Sequence, residues 1–346
     1  MLKRRTLMGT AMAAAIPGAF LPLAQAQTGK NTLSIGMPLE PPGLDPTAGA
    51  ASAIAEITQY NIFEALTKVN ADGSVTPMLA ESWSSSPDMK TFVFKLRRGV
   101  RFENGQPFNA ATVKFSFDRA GGAKSTNKDK RFFSEIGTVV LDEYTVGVNS
   151  TLSNPDLPFM LGQSTACIVE PKSAETNATA PVGTGPYKLA AWQRGASCTL
   201  VKSPTYRDPG LAKVEKFVFR FMSDTAAQTA ALMANDIDIF PRAGTRSVAQ
   251  FKGNPRFQVL EVGTRGKVIL TINNRKKPLD DVRVRRAILA ALDRNTIIQG
   301  AADGFGKPIG SHYAMGAPGF IDTTAINPYD IEKAKRLLAE AGVKTP

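Results

Sequence analysis

The residue types that most often carry out chemistry are scarce in this chain. His312 is the single histidine, and Cys167 and Cys198 are the two cysteines, among 346 residues. That set cannot build a His/Cys zinc cage, and no H-E-x-x-H pair is present. The glycine-rich cradles for nucleotides fail in detail. Gly183-x-Gly185 is followed by Lys188 where a dinucleotide fingerprint needs glycine, and Gly304-x-Gly306 by Ile309. Ahead of Gly306-Lys307, Ala301 stands in place of the first glycine of a phosphate loop. No G-x-S-x-G elbow occurs, so Lys and carboxylates are what remain as general bases. Asp236 and Asp238, two apart on a strand, share one face; that suits a solvated surface or, less simply, attack on a glycosidic bond. Asp280-Asp281 reads as the capped, acidic start of a helix. The pattern argues for binding rather than bond-breaking, with no catalytic residue, metal ligand or cofactor expected.

The elements that would position any site are short strands with fewer helices and no repeat. Thr32–Gly36 alternates as an opening strand, and Pro38 to Pro46 is a loop. Ser52 to Leu66 has the spacing of a helix, with Ile54, Ile57, Ile62 and Leu66 on an apolar face. Phe92, Phe94 and Leu96 alternate along a strand over Thr91–Leu96. Asn104-Gly105 is a turn, and Asn109 caps a helix bearing Val113, Phe117 and Ala120. Gly121 to Lys130 is a polar surface loop. Further strands are expected at Thr138–Leu141, Thr145–Val148, Tyr187–Trp192, Val214–Met222 and Gln258–Val262. Helices are expected at Thr225–Met233, Asp280–Leu292 and Asp330–Ala341, the last with Pro328 near its first turn and Gly342 as its stop. The class is α/β, in the mixed α+β sense.

The first segment reads as an address. Lys3, Arg4 and Arg5 precede the apolar run Leu7–Ala24, which closes on Ala24-Gln25-Ala26. A charged start, an apolar middle and a small-x-small end describe a signal peptide cut after Ala26, with Arg4-Arg5 compatible with the twin-arginine route. The run is too short and too broken by Pro17 and Pro22 to span a bilayer, so no stable membrane insertion is expected. Gln27 follows the cut, where a lipoprotein needs Cys. A periplasmic protein results, and its two cysteines meet an oxidising compartment where a bridge or two buried free thiols are both open. Composition is ordinary for a globular chain, 43% apolar and 21% charged. Losing the leader takes the net charge from +12 to +9. The charges are scattered, not striped with aromatics, so no nucleic-acid partner is expected.

Several blocks resemble the peptide-binding family, family 5, of extracellular solute-binding proteins that serve ATP-binding-cassette importers. They are Gln59–Leu66 (QYNIFEAL), Pro77–Trp83 (PMLAESW), Leu96–Ala110 (LRRGVRFENGQPFNA), Val113–Phe117 (VKFSF), Pro181–Tyr187 (PVGTGPY) and Pro278–Ile288 (PLDDVRVRRAI) through Asp293-Arg294. Order and spacing agree from about Leu33 to Gly342.

The resemblance implies a periplasmic-binding-protein-like, two-lobed class II architecture with an extra domain. It places lobe I at 27–63 and 183–270, the extra domain at 64–182, and the start of lobe II at 271–346, with Thr271, Ile272, Asn273 and Asn274 as the hinge. Relatives continue beyond the helix matched by Glu332–Gly342, so lobe II is expected to be incomplete here. An aspartate that grips the ligand's amino terminus in peptide-binding relatives has no counterpart, so this chain as given is expected to bind peptides weakly or not at all, and a full-length version to bind them. Small residues Gly49, Ala50, Ala51 and Ser52 resemble the lobe I edge that meets ligand backbone, and also suit a helix lead-in. Gly183, Thr184 and Gly185 are candidates to line the cleft, with a tight turn as the alternative. Trp83 and Trp192 are expected in the core rather than as stacking platforms. The implied function is solute capture: oligo- or dipeptides, or alternatively a nickel chelate, an oligosaccharide or an opine. The implied partners are permease subunits of the importer, and the protein itself is expected to be a monomer. A secreted hydrolase is the remaining alternative.

Overall fold

The computed structural model describes residues 31–263, 266–313, 315 and 320–343; the expected signal peptide lies outside them. In chain order, strand β1 (Thr32–Met37) leads to helix α1 (Ser52–Thr58), then to β2 (Thr67–Val69), β3 (Val75–Pro77), β4 (Ala80–Ser85) and β5 (Thr91–Leu96). Helices α2 (Ala110–Gly121) and α3 (Lys130–Glu135) follow, then β6 (Ile136–Asp142), β7 (Thr145–Ser150) and the short α4 (Leu157–Met160). The chain continues through β8 (Tyr187–Gln193), β9 (Ser197–Lys202) and β10 (Lys216–Phe221). It ends in helices α5 (Thr225–Met233), α6 (Thr245–Phe251), α7 (Val282–Ala291), α8 (Arg294–Ala302) and α9 (Ile331–Glu340).

Two four-stranded sheets carry most of the structure. The first has the order β1-β10-β9-β8, with β1 parallel to β10 and the other pairs antiparallel. On the free side of β1, Ile239 adds a parallel bridge: the Gly36 N–H donates to its carbonyl at 2.9 Å. The second sheet, β4-β5-β7-β6, is antiparallel throughout. Alternation puts Phe92, Phe94 and Leu96 of β5 on one face, where they meet Val113 and Phe117 of α2, Phe133 of α3, and Val146 and Val148 of β7. Helix α2 starts where the sequence says it should. The Asn109 side chain accepts from the Ala111 and Thr112 N–H groups, and Thr112 Oγ1 accepts from the Asn109 N–H.

The apolar interior divides accordingly. One cluster runs from Leu66 to Ile168 around the second sheet; another joins Met37–Phe63 to Cys167–Phe219 around the first. Arg119, in the last turn of α2, ties them together. It donates to Asp45 Oδ2 at 3.1 Å, Thr47 Oγ1 at 2.7 Å and the Ala174 carbonyl at 3.1 Å. Asp45 is almost fully buried, and pairing with Arg119 is what makes that burial tolerable.

Three expectations are corrected. The helix read over Ser52–Leu66 stops at Thr58. Tyr60 takes a left-handed conformation (φ 62°), and the following turn uses the carbonyls of Asn61 and Ile62 to accept from Tyr187 and Gly185. Ile62 and Leu66 are buried as the periodicity required, but from a loop, because tertiary hydrogen bonds outweigh helix propensity there. Gln258–Val262 is not a strand. It is irregular, with Leu260 and Val262 largely exposed, and no neighbouring strand supplies a ladder among the described residues. The final helix begins with Asp330 as its cap, so Pro328 precedes the cap instead of occupying the first turn.

Candidate functional site

The loop before α1 is held from beneath by Asp45, whose Oδ1 accepts from the Thr47 N–H at 2.8 Å and the Thr47 hydroxyl at 2.6 Å. Gly49 lies against the helix that follows: a Cβ there would stand 2.4 Å from Ile54 Cδ1. Ala50, Ala51 and Ser52 are exposed, a rim of small side chains over which another backbone can pass closely. Beside this rim, Asp45, Thr47, Ala48, Arg119, Lys124 and Glu175 are among the residues around a cleft of about 560 Å³. That volume lies within the usual range for small-molecule pockets.

Gly183, Thr184 and Gly185 are buried. Cβ atoms on the two glycines would meet Ile62 O at 1.9 Å and Asn61 O at 2.3 Å, so nothing larger than hydrogen fits. The segment is stitched in place: Gly185 N–H donates to Ile62 O, and Gly183 O accepts from the Glu103 N–H, each at 2.9 Å. At the centre of this packing stands Glu64, fully buried. Its carboxylate accepts from Thr184 Oγ1 at 2.9 Å and from both Arg207 terminal nitrogens at 2.6 and 2.8 Å. A two-pronged Arg–carboxylate pair of this kind fixes orientation as well as charge. The sequence offers one clue to it, an acid inside an otherwise apolar block, and none to which arginine answers it.

These two groups sit at either end of α1. Gly49–Ser52 leads into the helix, and the Asn61–Glu64 turn that carries Gly183–Gly185 follows it, about 10 Å on at 1.5 Å per residue. Thr271, Ile272, Asn273 and Asn274 lie elsewhere, in a mostly exposed irregular stretch. Asn273 Oδ1 accepts from the Arg275 N–H there, and no hydrogen bond joins the stretch to either group among the described residues.

The tryptophans and cysteines are spoken for. Trp83 packs beside Phe94 with ring centroids 6.1 Å apart. Trp192 donates its indole N–H to Glu40 at 3.0 Å and is covered by the Arg194 guanidinium, 3.4 Å from the ring centroid. Cys167 and Cys198 are free, buried thiols; burial pushes Cys198 up to about 12 and Cys167 higher still, which keeps both protonated and inert. Burial also raises Glu103, against the opposing pull of Lys188. Among the described residues, no three His, Cys, Asp or Glu side chains gather closely enough to hold a metal ion.

Residues 74–346 match the family described as bacterial extracellular solute-binding proteins, family 5 Middle. The chain belongs to this family. A dipeptide-binding protein of Escherichia coli (strain K12) is 28% identical over 88% of this chain and 62% of its own length. Among solved structures, the periplasmic binding protein AgaA of A. tumefaciens R10, in complex with agropinic acid, is 30% identical with a TM-score of 0.76, over 90% of this chain and 64% of that one. DppA from Helicobacter pylori, in complex with the peptide STSA, is 25% identical with a TM-score of 0.79, over 90% of this chain and 66% of that one. The family 5 chain described here thus has the mixed α/β fold of the two-lobed periplasmic binding proteins, and spans less than two thirds of the length of the dipeptide-binding relative.

Proposed function

We propose that this protein captures oligo- or dipeptides in the periplasm, in a cleft between two lobes, and delivers them to the permease subunits of an ATP-binding-cassette importer. The observation that carries the reading is the family match across residues 74–346, together with relatives named for dipeptide and peptide binding. In this plan residues 27–63 and 183–270 form lobe I, 64–182 an extra domain and 271–346 the start of lobe II, with 271–274 as the hinge. The separate apolar core from Leu66 to Ile168 supports an extra domain of its own, while Cys167, Val169 and Ala174 pack into the other core. The rim Gly49–Ser52, exposed at Ala50, Ala51 and Ser52, is the edge offered to ligand backbone. An extended peptide presents the same N–H and C=O groups whatever its sequence, so small residues beside a roomy cleft favour broad tolerance. Gly183–Gly185 acts one layer behind, holding the turn after α1 through Thr184, Glu64 and Arg207.

An opine is the second reading, favoured by the AgaA complex with agropinic acid. Native mass spectrometry of the protein purified from its own cells separates the two. A ladder of peptide masses supports peptide capture, and a single opine mass replaces it. Turnover of chromogenic ester, glycoside or peptide substrates would overturn the binding function altogether.

A further inference from the structure

Helices α7 and α9 cross on small side chains: Ala287, Ala290 and Ala334 are buried at the contact, with Leu337 and Leu338 against them. Beside that crossing lies a cleft of about 320 Å³, lined by Arg286, Ala290, Asn327, Pro328, Lys333 and Leu337. Both charged residues lining it are cationic. Several cations around them are engaged, although Arg336, further along α9 and outside the cleft lining, is not. Arg283 holds Asp281 and the Glu340 carbonyl, Arg285 the carbonyls of Leu279 and Asp280, Arg294 the Asn327 carbonyl, and Lys335 the Glu332 carboxylate. Arg286 and Lys333 are the two unengaged cations that line the cleft. Among the described residues, the side chain of neither makes a hydrogen bond or an ion pair. The neighbouring acid Asp330 is occupied as the cap of α9, its Oδ1 accepting from the Lys333 N–H at 2.8 Å.

We propose that this cleft is a binding site for a phosphate monoester. Two unneutralised cations match the roughly −1.5 to −2 charge of such a group at neutral pH. Arg286 brings a planar fork suited to two oxygens of one phosphate, Lys333 a compact charge, and Asn327 a neutral amide. Lys333 also lies in the first turn of α9, where the helix dipole adds to the attraction for an anion. The cleft exceeds the bare ion in volume, which leaves room for an organic substituent. The site lies within the α7–α9 pair and is independent of how the protein captures its transported solute.

Titration calorimetry with glycerol 3-phosphate at constant ionic strength, with chloride as the balancing salt, tests the site on the whole chain. Saturable one-to-one binding is expected, weakened tenfold or more by Arg286→Gln or Lys333→Gln. Lys333→Arg should stay within about threefold of wild type, and Lys276→Gln, outside the cleft, should be unchanged. Flotation with phosphatidylcholine vesicles, with and without phosphatidic acid, whose headgroup is a phosphate monoester, distinguishes the source. Co-flotation that glycerol 3-phosphate competes away assigns a lipid headgroup, and its absence assigns a soluble ester. No saturable binding, or equal affinity in wild type and the Arg286→Gln/Lys333→Gln double variant, overturns the proposal. Circular dichroism confirms that the variants are folded, and Lys333→Arg retains the charge in any case.

Discussion

Residues 31–251 and 252–343 are built to different standards. The first stretch encloses two apolar cores with phenylalanines at 0% exposure, among them Phe63, Phe94 and Phe102. In the second, the buried apolar residues among those described are Val284, Ala287, Ala290 and Ala334, while Leu260, Val262, Val268 and Leu270 are each more than 60% exposed. Local propensity is satisfied in both: α7 and α9 are capped by Asp281 and Asp330 as cleanly as α2 is by Asn109. What differs is the number of layers packed on each element. Helices and caps are a local matter, whereas burial needs a second surface.

That contrast is open to direct attack. Phe94→Ala should cost about 3–5 kcal/mol, read from the urea midpoint, because it empties a filled site. Val268→Ser should stay within about 0.5 kcal/mol, since Val268 is wholly exposed. Comparable losses would erase the difference between the two stretches. Glu64→Ala should be nearly as costly as Phe94→Ala, about 3–5 kcal/mol, because it strands Arg207 beside a buried core. Replacing both by apolar residues of similar size should recover much of that loss, which sharpens the point that the pair fixes geometry more than it adds stability. Asn109→Ala should cost about 1 kcal/mol through loss of the α2 cap. Smallest is a pH effect at Glu103. Burial raises its pKa in the folded protein, so the folded state holds its proton more readily than the unfolded chain does. Its burden is absent below the ordinary glutamate value of about 4.3 and appears as pH rises through the raised value. Glu103→Gln should therefore flatten the urea midpoint over that interval, and an unaltered slope would argue against a partly desolvated carboxyl.

The sequence was legible where one residue type has one physical use. Asn109 and Asp281 announce helix starts, Gly342 a helix stop, and the alternation at Thr91–Leu96 a strand with one buried face. It misled at Ile62 and Leu66, whose helical spacing is real but whose backbone is claimed by Gly185 and Tyr187 from far along the chain. It misled again at Gln258–Val262, where strand-like composition meets no partner strand. Of the candidate site, the small residues at Gly49–Ser52 were readable as residue types. The Glu64–Arg207 pair was not, since nothing in a one-dimensional pattern selects one arginine from many.

By itself the sequence determined which segments cap, turn and alternate, and through its ordered blocks it pointed to the family, because these properties reside in neighbouring residues. Only the tertiary structure decided that α1 ends at Thr58, that Gly183 and Gly185 are glycine because carbonyls of Asn61 and Ile62 lie against them, and that Arg119 and Arg207 are the partners of two buried acids. Those outcomes depend on groups brought together from distant parts of the chain, where the need to satisfy buried charge and backbone outweighs local preference.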